Sequence, residues 1–364
     1  MTRVITYGTY DLLHQDHINL LHSKNIDNPR PQQAYPRQNW LDWMKAIGIV
    51  LIAYGHFFSL YDRYVYEFSV PLFFVISGFL CKRETDTKLF WKKLWYNLVV
   101  PLALICTLNY LIGAIKWFLS DNNPHPANPL LFLWKMSIGL HEAVGGLWFV
   151  YTLIILKIIL QFTPRASLHL LWFVAFCVLA YVHNHYDVSL FSLHPSYYVW
   201  SITDTFVSYP FFIIGYALRH WKDQISNYKP NKYTFCWIAV SLLLVFLCGH
   251  HHQRVFLIVC GYGDNSLLFL LGGLAGSAFI YFLSKLLDNL RWPLVTDISL
   301  GTILILGFHG HFIKAYRSIC STISPFDLLV SVLIVLLFVP IIRLCQSYFP
   351  LIIGKYRVKK TQTL

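Results

Sequence analysis

Charge is what this sequence has least of. Only 13% of its 364 residues are Asp, Glu, Lys or Arg, against about 25% in an ordinary soluble domain. Hydrophobic residues make up 56%, and the mean hydropathy is +0.52. A water-soluble fold is excluded by that balance. No alternation of apolar and polar residues runs through the chain, so a membrane β-barrel has no pattern to be built from. The eight cysteines stand singly, without a CxxC pair. Most fall inside apolar runs, where they read as small apolar fillers and say little about redox compartment. No secretory signal is visible: the N-terminus is polar for some 39 residues, and no small-residue cleavage site follows the first apolar run. No internal repeat is visible either.

What is present is a series of apolar runs, each long enough to cross about 30 Å of hydrocarbon. Ten candidate helices lie near 41–60, 66–81, 94–118, 146–162, 168–183, 203–219, 233–249, 266–286, 298–315 and 327–346. The second and fifth of these are short. The expected fold is all-α: a polytopic membrane protein with about ten transmembrane helices and both termini cytoplasmic. Residues 1–39 form a polar segment ending in the Pro-rich linker "NPRPQQAYPRQN". Residues 40–350 form the membrane domain, and 351–364 a basic tail.

The net charge of +12 does not point to nucleic acid, because the cations cluster between apolar runs. With the N-terminus inside, cytoplasmic loops receive Lys82, Arg83, Lys88, Lys92 and Lys93, then Arg165, then Arg219, Lys222, Lys229 and Lys232, then Lys285 and Arg291. Outer loops hold only Arg63, Lys116, Lys135, Arg254, Lys314 and Arg317. That asymmetry follows the positive-inside rule.

Three ionisable residues share the first span: Asp42, Lys45 and His56. A charge inside a membrane helix costs several kcal/mol unless it is paired or functional. At 100° per residue, Lys45 and His56 lie about 20° apart in azimuth and roughly 16 Å apart along the axis. Asp42 is one turn before Lys45 and within reach of it.

The segment "NWLDWMKAIGIVLIAYGHFFSL", followed by "EFSVPLFFVISGFLCKRE", closely resembles the acyltransferase-3 family of integral membrane acyltransferases. That family carries a basic residue, ten intervening residues, then histidine; here these are Lys45 and His56. Its second span reads roughly Phe-His-x-Pro-Leu-Phe-Phe-x-x-Ser-Gly-Phe. Here Phe68 to Phe79 match it, with Ser69 in place of the histidine. Weaker matches follow in family order: "GGLWFVYTL" at 145–153, "PFFIIGYAL" at 210–218 and "DISLGTILILGFH" at 297–309. The resemblance implies transfer of an acetyl group from cytoplasmic acetyl-CoA to a hydroxyl of a cell-surface polysaccharide or its lipid-linked precursor. It implies residence in a plasma membrane, such as a bacterial inner membrane. The alternative is a multi-pass transporter or channel, since intramembrane charges also mark ion paths.

Acetylating an alcohol requires a base, and histidine titrates near neutrality. His56 is therefore the expected base, or a core histidine bonded to a neighbouring carbonyl. Lys45 either holds the donor or pairs with Asp42 at the membrane surface. Arg83, Lys82, Lys92 and Lys93 either bind coenzyme A phosphates or serve topology alone. Ser77 and Gly78 read as close-packing residues. Glu142, Trp148 and His309 are the candidate acceptor contacts; His309 falls where the family often has a histidine. "GHHHQR" at 249–254 has no carboxylate or cysteine nearby and reads as a hydrated loop rather than a metal site. Asp62 reads as a loop residue and not as the partner of His56.

The first 22 residues resemble the start of a glycerol-3-phosphate-type cytidylyltransferase. That family's signature is His-x-Gly-His; here the run is His14, Gln15, Asp16, His17, with a negative charge where phosphate would sit. The rest of that domain is missing, so the stretch reads as a relict without transferase activity.

Overall fold

A computed structural model describes residues 37–354 apart from 120–125, 127, 187–191, 195, 196, 199–201, 252, 258–260 and 321. The cytidylyltransferase-like stretch and the basic residues of the tail lie outside the described residues. The described chain is helical. Its first half consists of α1 (Asn39–Gly55), α2 (Asp62–Tyr66), α3 (Ser69–Leu80), α4 (Thr87–Leu94), α5 (Val100–Leu119), α6 (Pro129–Ser137), α7 (His141–Val144) and α8 (Trp148–Phe162). The second half consists of α9 (Ala166–Tyr186), α10 (Ile202–Leu218), α11 (Lys222–Asn227), α12 (Lys232–His251), α13 (Ser266–Leu286), α14 (Pro293–Leu300), α15 (Thr302–Ile319) and α16 (Asp327–Tyr348). One small antiparallel ribbon, Ser192–His194 with Tyr197–Tyr198, joins α9 to α10.

Seven stretches of this helix are long and apolar enough to cross a membrane, and α14 with α15 makes an eighth if the two count as one broken span. The break is sharp, at 86°, and falls at Gly301. A Cβ there would overlap the side chain of Ile342 on α16, so glycine lets α16 close onto the bend with Ile342 in place. Sequence periodicity gave a single helix over 298–315; glycine in an apolar run does not by itself announce a corner. The fifth span was expected to be short, yet α9 runs for 21 residues, because nothing between Ala166 and Tyr186 breaks a helix. Likewise α12 continues through His251, so part of "GHHHQR" is helix and not loop; His250 stacks on Phe246 one turn earlier.

The helix ends follow local chemistry. Asp86 accepts from the Lys88 amide at 2.8 Å to start α4. Asn128 caps α6 ahead of Pro129, and Asn265 accepts from the Leu267 and Leu268 amides at 3.0 Å to start α13. Each cap satisfies amides that have no partner inside the first turn.

The core is built around α1. It packs against α3, α13, α14, α15 and α16, and 13 of its 17 residues are buried. A helix buried on every side is an interior helix. By contrast α12 exposes Phe235, Trp237, Leu242, Leu243 and Phe246, an outward face suited to lipid. Against α3 lies α10, and the two backbones nearly touch: a Cβ on Gly78 would overlap the Phe212 carbonyl, and one on Gly215 the Val75 carbonyl. Ser77 donates to the Phe73 carbonyl at 2.6 Å, within its own helix. Close approach thus accounts for Gly78, as the sequence suggested.

Candidate active site

His56 is the residue immediately after α1, still near helical geometry at φ −71° and ψ −7°. Its ring Nδ1 lies 2.8 Å from the Ile52 carbonyl. A carbonyl only accepts, so Nδ1 carries the proton and Nε2 keeps its lone pair. His309, on α15, sits edge-to-face with it, ring centroids 4.7 Å apart. Its Nδ1 lies 2.9 Å from Ile305 O and 3.1 Å from Leu306 O, which fixes the same tautomer. Two histidines far apart in sequence thus pack against each other in the same tautomer. His311 turns elsewhere, its Nε2 2.8 Å from Asn109 Oδ1.

A cavity of about 70 Å³ opens beside His56, lined among others by Ile49, Ile52, Phe73, Trp148, Thr302 and Leu306. Ile49, Ile52 and His56 follow one another at helical spacing, and Lys45 precedes Ile49 by one turn. The cavity therefore borders the Ile49–Ile52–His56 face of α1, the face that also carries Lys45 one turn earlier. Trp148, a predicted acceptor contact, is in its wall.

The turn after His56 is held from two sides. Phe58 has φ +52°, a left-handed conformation that costs a bulky residue about 1–3 kcal/mol. Arg317, anchored on buried Asp327 at 3.0 Å, donates to the Phe57 carbonyl at 2.7 Å and lies over the Phe57 ring. Arg254, paired with Asp62, lies over the Phe58 ring at 5.0 Å. These two ion pairs were missed in the sequence, where Arg254 and Arg317 counted only as outer-loop charges. Asp62 is not a loop residue: it opens α2 and is buried against Arg254. It does not contact His56 through any hydrogen bond among the described residues, as expected.

The opposite end of α1 is charged. Asp42 accepts from Arg37 at 2.5 and 2.7 Å and from Ser299 Oγ at 2.6 Å. It binds the start of α1 to α14. Fourteen residues of helix, about 21 Å, separate it from His56, so it does not touch that ring. Lys45 is fully buried between these ends.

The four cations after α3 divide. Lys93 is buried and paired with Glu84 at 2.6 Å. Arg83 donates to the Gln161 and Pro164 carbonyls at 3.3 and 3.5 Å, and Gln161 exchanges hydrogen bonds with the Glu84 backbone. Lys82 and Lys92 are exposed. Buried Lys157 on α8 was not anticipated, although a lysine inside an apolar span is itself a signal. Glu142 pairs with Lys135 and does not line the cavity, whereas its neighbour His141 lies 3.8 Å from fully buried Asp204.

These features define a multi-pass membrane protein with one histidine, His56, in the wall of an internal cavity and a second, His309, packed against it. The acyltransferase domain of the acyltransferase-3 family matches residues 38–345, and the chain belongs to that family of membrane acyltransferases. A nodulation protein, NolL, of Mesorhizobium japonicum is 23% identical over 230 residues, which cover 57% of this chain and 54% of the relative. The chain thus spans about half the length of that curated relative. No solved structure matches it.

Proposed function

We propose that the protein is an O-acetyltransferase that moves an acetyl group from cytoplasmic acetyl-CoA to a hydroxyl of a surface glycan or its lipid-linked precursor. The observation that carries this reading is the tautomer of His56: Nδ1–H on the Ile52 carbonyl, Nε2 free to take a proton. His56 Nε2 accepts the acceptor's hydroxyl proton as its oxygen bonds to the thioester carbonyl carbon. The C–S bond then breaks, and the same nitrogen returns the proton to the sulfur. The carbonyl end of α1 stabilises the imidazolium formed between the two steps. An alternative route, with the acetyl group first on His56, uses the same nitrogen.

Donor binding is assigned to the loop after α3 and the α4 that follows it, with Lys82 and Arg83 in the loop and Lys92 on α4 as the phosphate contacts. Lys93, committed to Glu84, contributes by holding that loop. Arg83→Ala is expected to raise KM for acetyl-CoA about tenfold, the order of one charge-assisted hydrogen bond. Arg83→Lys should recover part of the loss, because lysine lacks the planar fork. Unchanged donor kinetics in a well-inserted Arg83→Ala protein would remove this residue from the donor site.

We assign ten spans, both termini cytoplasmic, in a bacterial inner membrane. To the eight of the preceding count we add α1 and α10, each 17 residues and apolar, at the short end of what crosses a bilayer. Cysteine accessibility should label residues 82–93 and the C-terminus from the cytoplasm and residues 120–144 from outside. Labelling of residues 120–144 from the cytoplasm would break the ten-span arrangement.

A further inference from the structure

A second cavity, of about 350 Å³, lies at the other end of α1, between α1, α3, α10 and α13. It is five times the volume of the one at His56 (350 against 70 Å³). Leu41, Met44, Phe79, Leu274 and Phe282 give it an apolar wall. Two of its polar groups are already used: Ser277 donates to Gly273 O, and Tyr281 to Ile225 O. The third is not. Trp40 is buried and lines the cavity, and its indole N–H has no acceptor among the described residues. A buried donor without an acceptor is unfavourable, and a ligand oxygen would relieve it.

The surroundings are cationic. The segment that supplies Leu218 and Ile225 to the wall continues to residue 232. It carries Arg219, Lys222, Lys229 and Lys232 against the single acid Asp223. Lys285 lies 5.5 Å from the Trp40 ring, held by Asp288 and the Ser226 carbonyl at 2.9 Å each. Arg219 donates to the Phe79 and Leu80 carbonyls at 3.4 Å, beside the cavity wall. A hydrocarbon slot, one unsatisfied donor and a basic neighbouring segment together describe one kind of ligand. It has an apolar chain, a carbonyl near the chain's head, and an anionic group beyond it.

We infer that this cavity binds an anionic glycerophospholipid of the cytoplasmic leaflet. One acyl chain fills the slot, its ester carbonyl accepts from Trp40, and the phosphate faces the 219–232 segment. The inference rests on the cytoplasmic placement of that segment given above. The bound lipid would fasten the start of α1 to α13, at the end of the helix remote from His56.

The test is native mass spectrometry of the delipidated full-length protein titrated with dioleoylphosphatidylglycerol or dioleoylphosphatidylcholine. One saturable phosphatidylglycerol is expected, with phosphatidylcholine at least tenfold weaker. Ala278→Phe, which fills the slot, should weaken phosphatidylglycerol binding at least tenfold. Trp40→Phe, which keeps the ring and removes the donor, should weaken it several-fold. Equal binding of the two lipids overturns the inference, as does wild-type affinity in both variants. No acyl donor is present, so a negative result leaves the transferase reading standing, and an inactive enzyme that binds lipid leaves this one standing.

Discussion

His56→Ala, in protein that still inserts, is expected to lose acetyl transfer by at least the 10²–10⁴-fold typical of general-base assistance. A covalent role would make the loss larger. The reason is geometric. The Ile52 carbonyl fixes Nδ1–H at 2.8 Å, so Nε2 is the one basic atom His56 can present. The cavity that reaches it is lined by Ile49 and Ile52 of the same helix. Deletion of residues 2–34, keeping Arg37 for its pair with Asp42, should leave transfer nearly intact. His14→Ala and His17→Ala should be silent as well, because Asp16 puts a negative charge where the His-x-Gly-His signature has glycine. The measurement is acetyl transfer in membranes, normalised to protein level, for each variant. Turnover in His56→Ala with none in His309→Ala would move the base to the neighbouring ring. An inactive truncation that inserts normally would give the N-terminal stretch a role it is denied above.

Much of this site was legible along one helix and little of it between helices. The spacing of Lys45 and His56 put both on one face, and the wall residues Ile49 and Ile52 lie on that face. Local arithmetic suffices there, because a helix has one period. It cannot say which helices are neighbours. In a bilayer, lipid and protein are equally apolar, so a span's hydropathy does not mark its partner. His309 was therefore a candidate acceptor contact by resemblance alone, and only the structure set it 4.7 Å from His56. Arg254 and Arg317 illustrate the other blind spot. Their charges were weighed for topology, where only the side of the membrane matters. Their partners Asp62 and Asp327 come from other elements, and so does the Phe57–Phe58 turn they hold. Asp42 is the same case: helical spacing offered Lys45, while the structure supplies Arg37 and Ser299.

The glycines at the α3–α10 crossing give the second large effect. Gly78→Ala is expected to destabilise the folded protein severely, and Gly215→Ala to do the same. A methyl on either glycine runs into a backbone carbonyl of the other helix, Phe212 or Val75. A flexible side chain could swing aside, but a carbonyl in a helix cannot move without its whole turn. Overpacking of this kind costs about 1–3 kcal/mol and occasionally more, and one or two kcal/mol already shifts a folding equilibrium by about 5–30-fold. Gly113→Ala is the matched control, since a Cβ on that α5 glycine meets nothing within 4 Å; there alanine should be neutral or mildly stabilising through helix propensity. Thermal stability of the detergent-solubilised proteins, followed by monodispersity on size exclusion, separates the outcomes. If Gly78→Ala melts with Gly113→Ala, the two helices do not cross this closely. The consequence then reaches the active site, because α3 also carries Phe73 into the wall of the His56 cavity. A looser crossing would let that wall move, so partial survivors should show lowered turnover in proportion to lost stability.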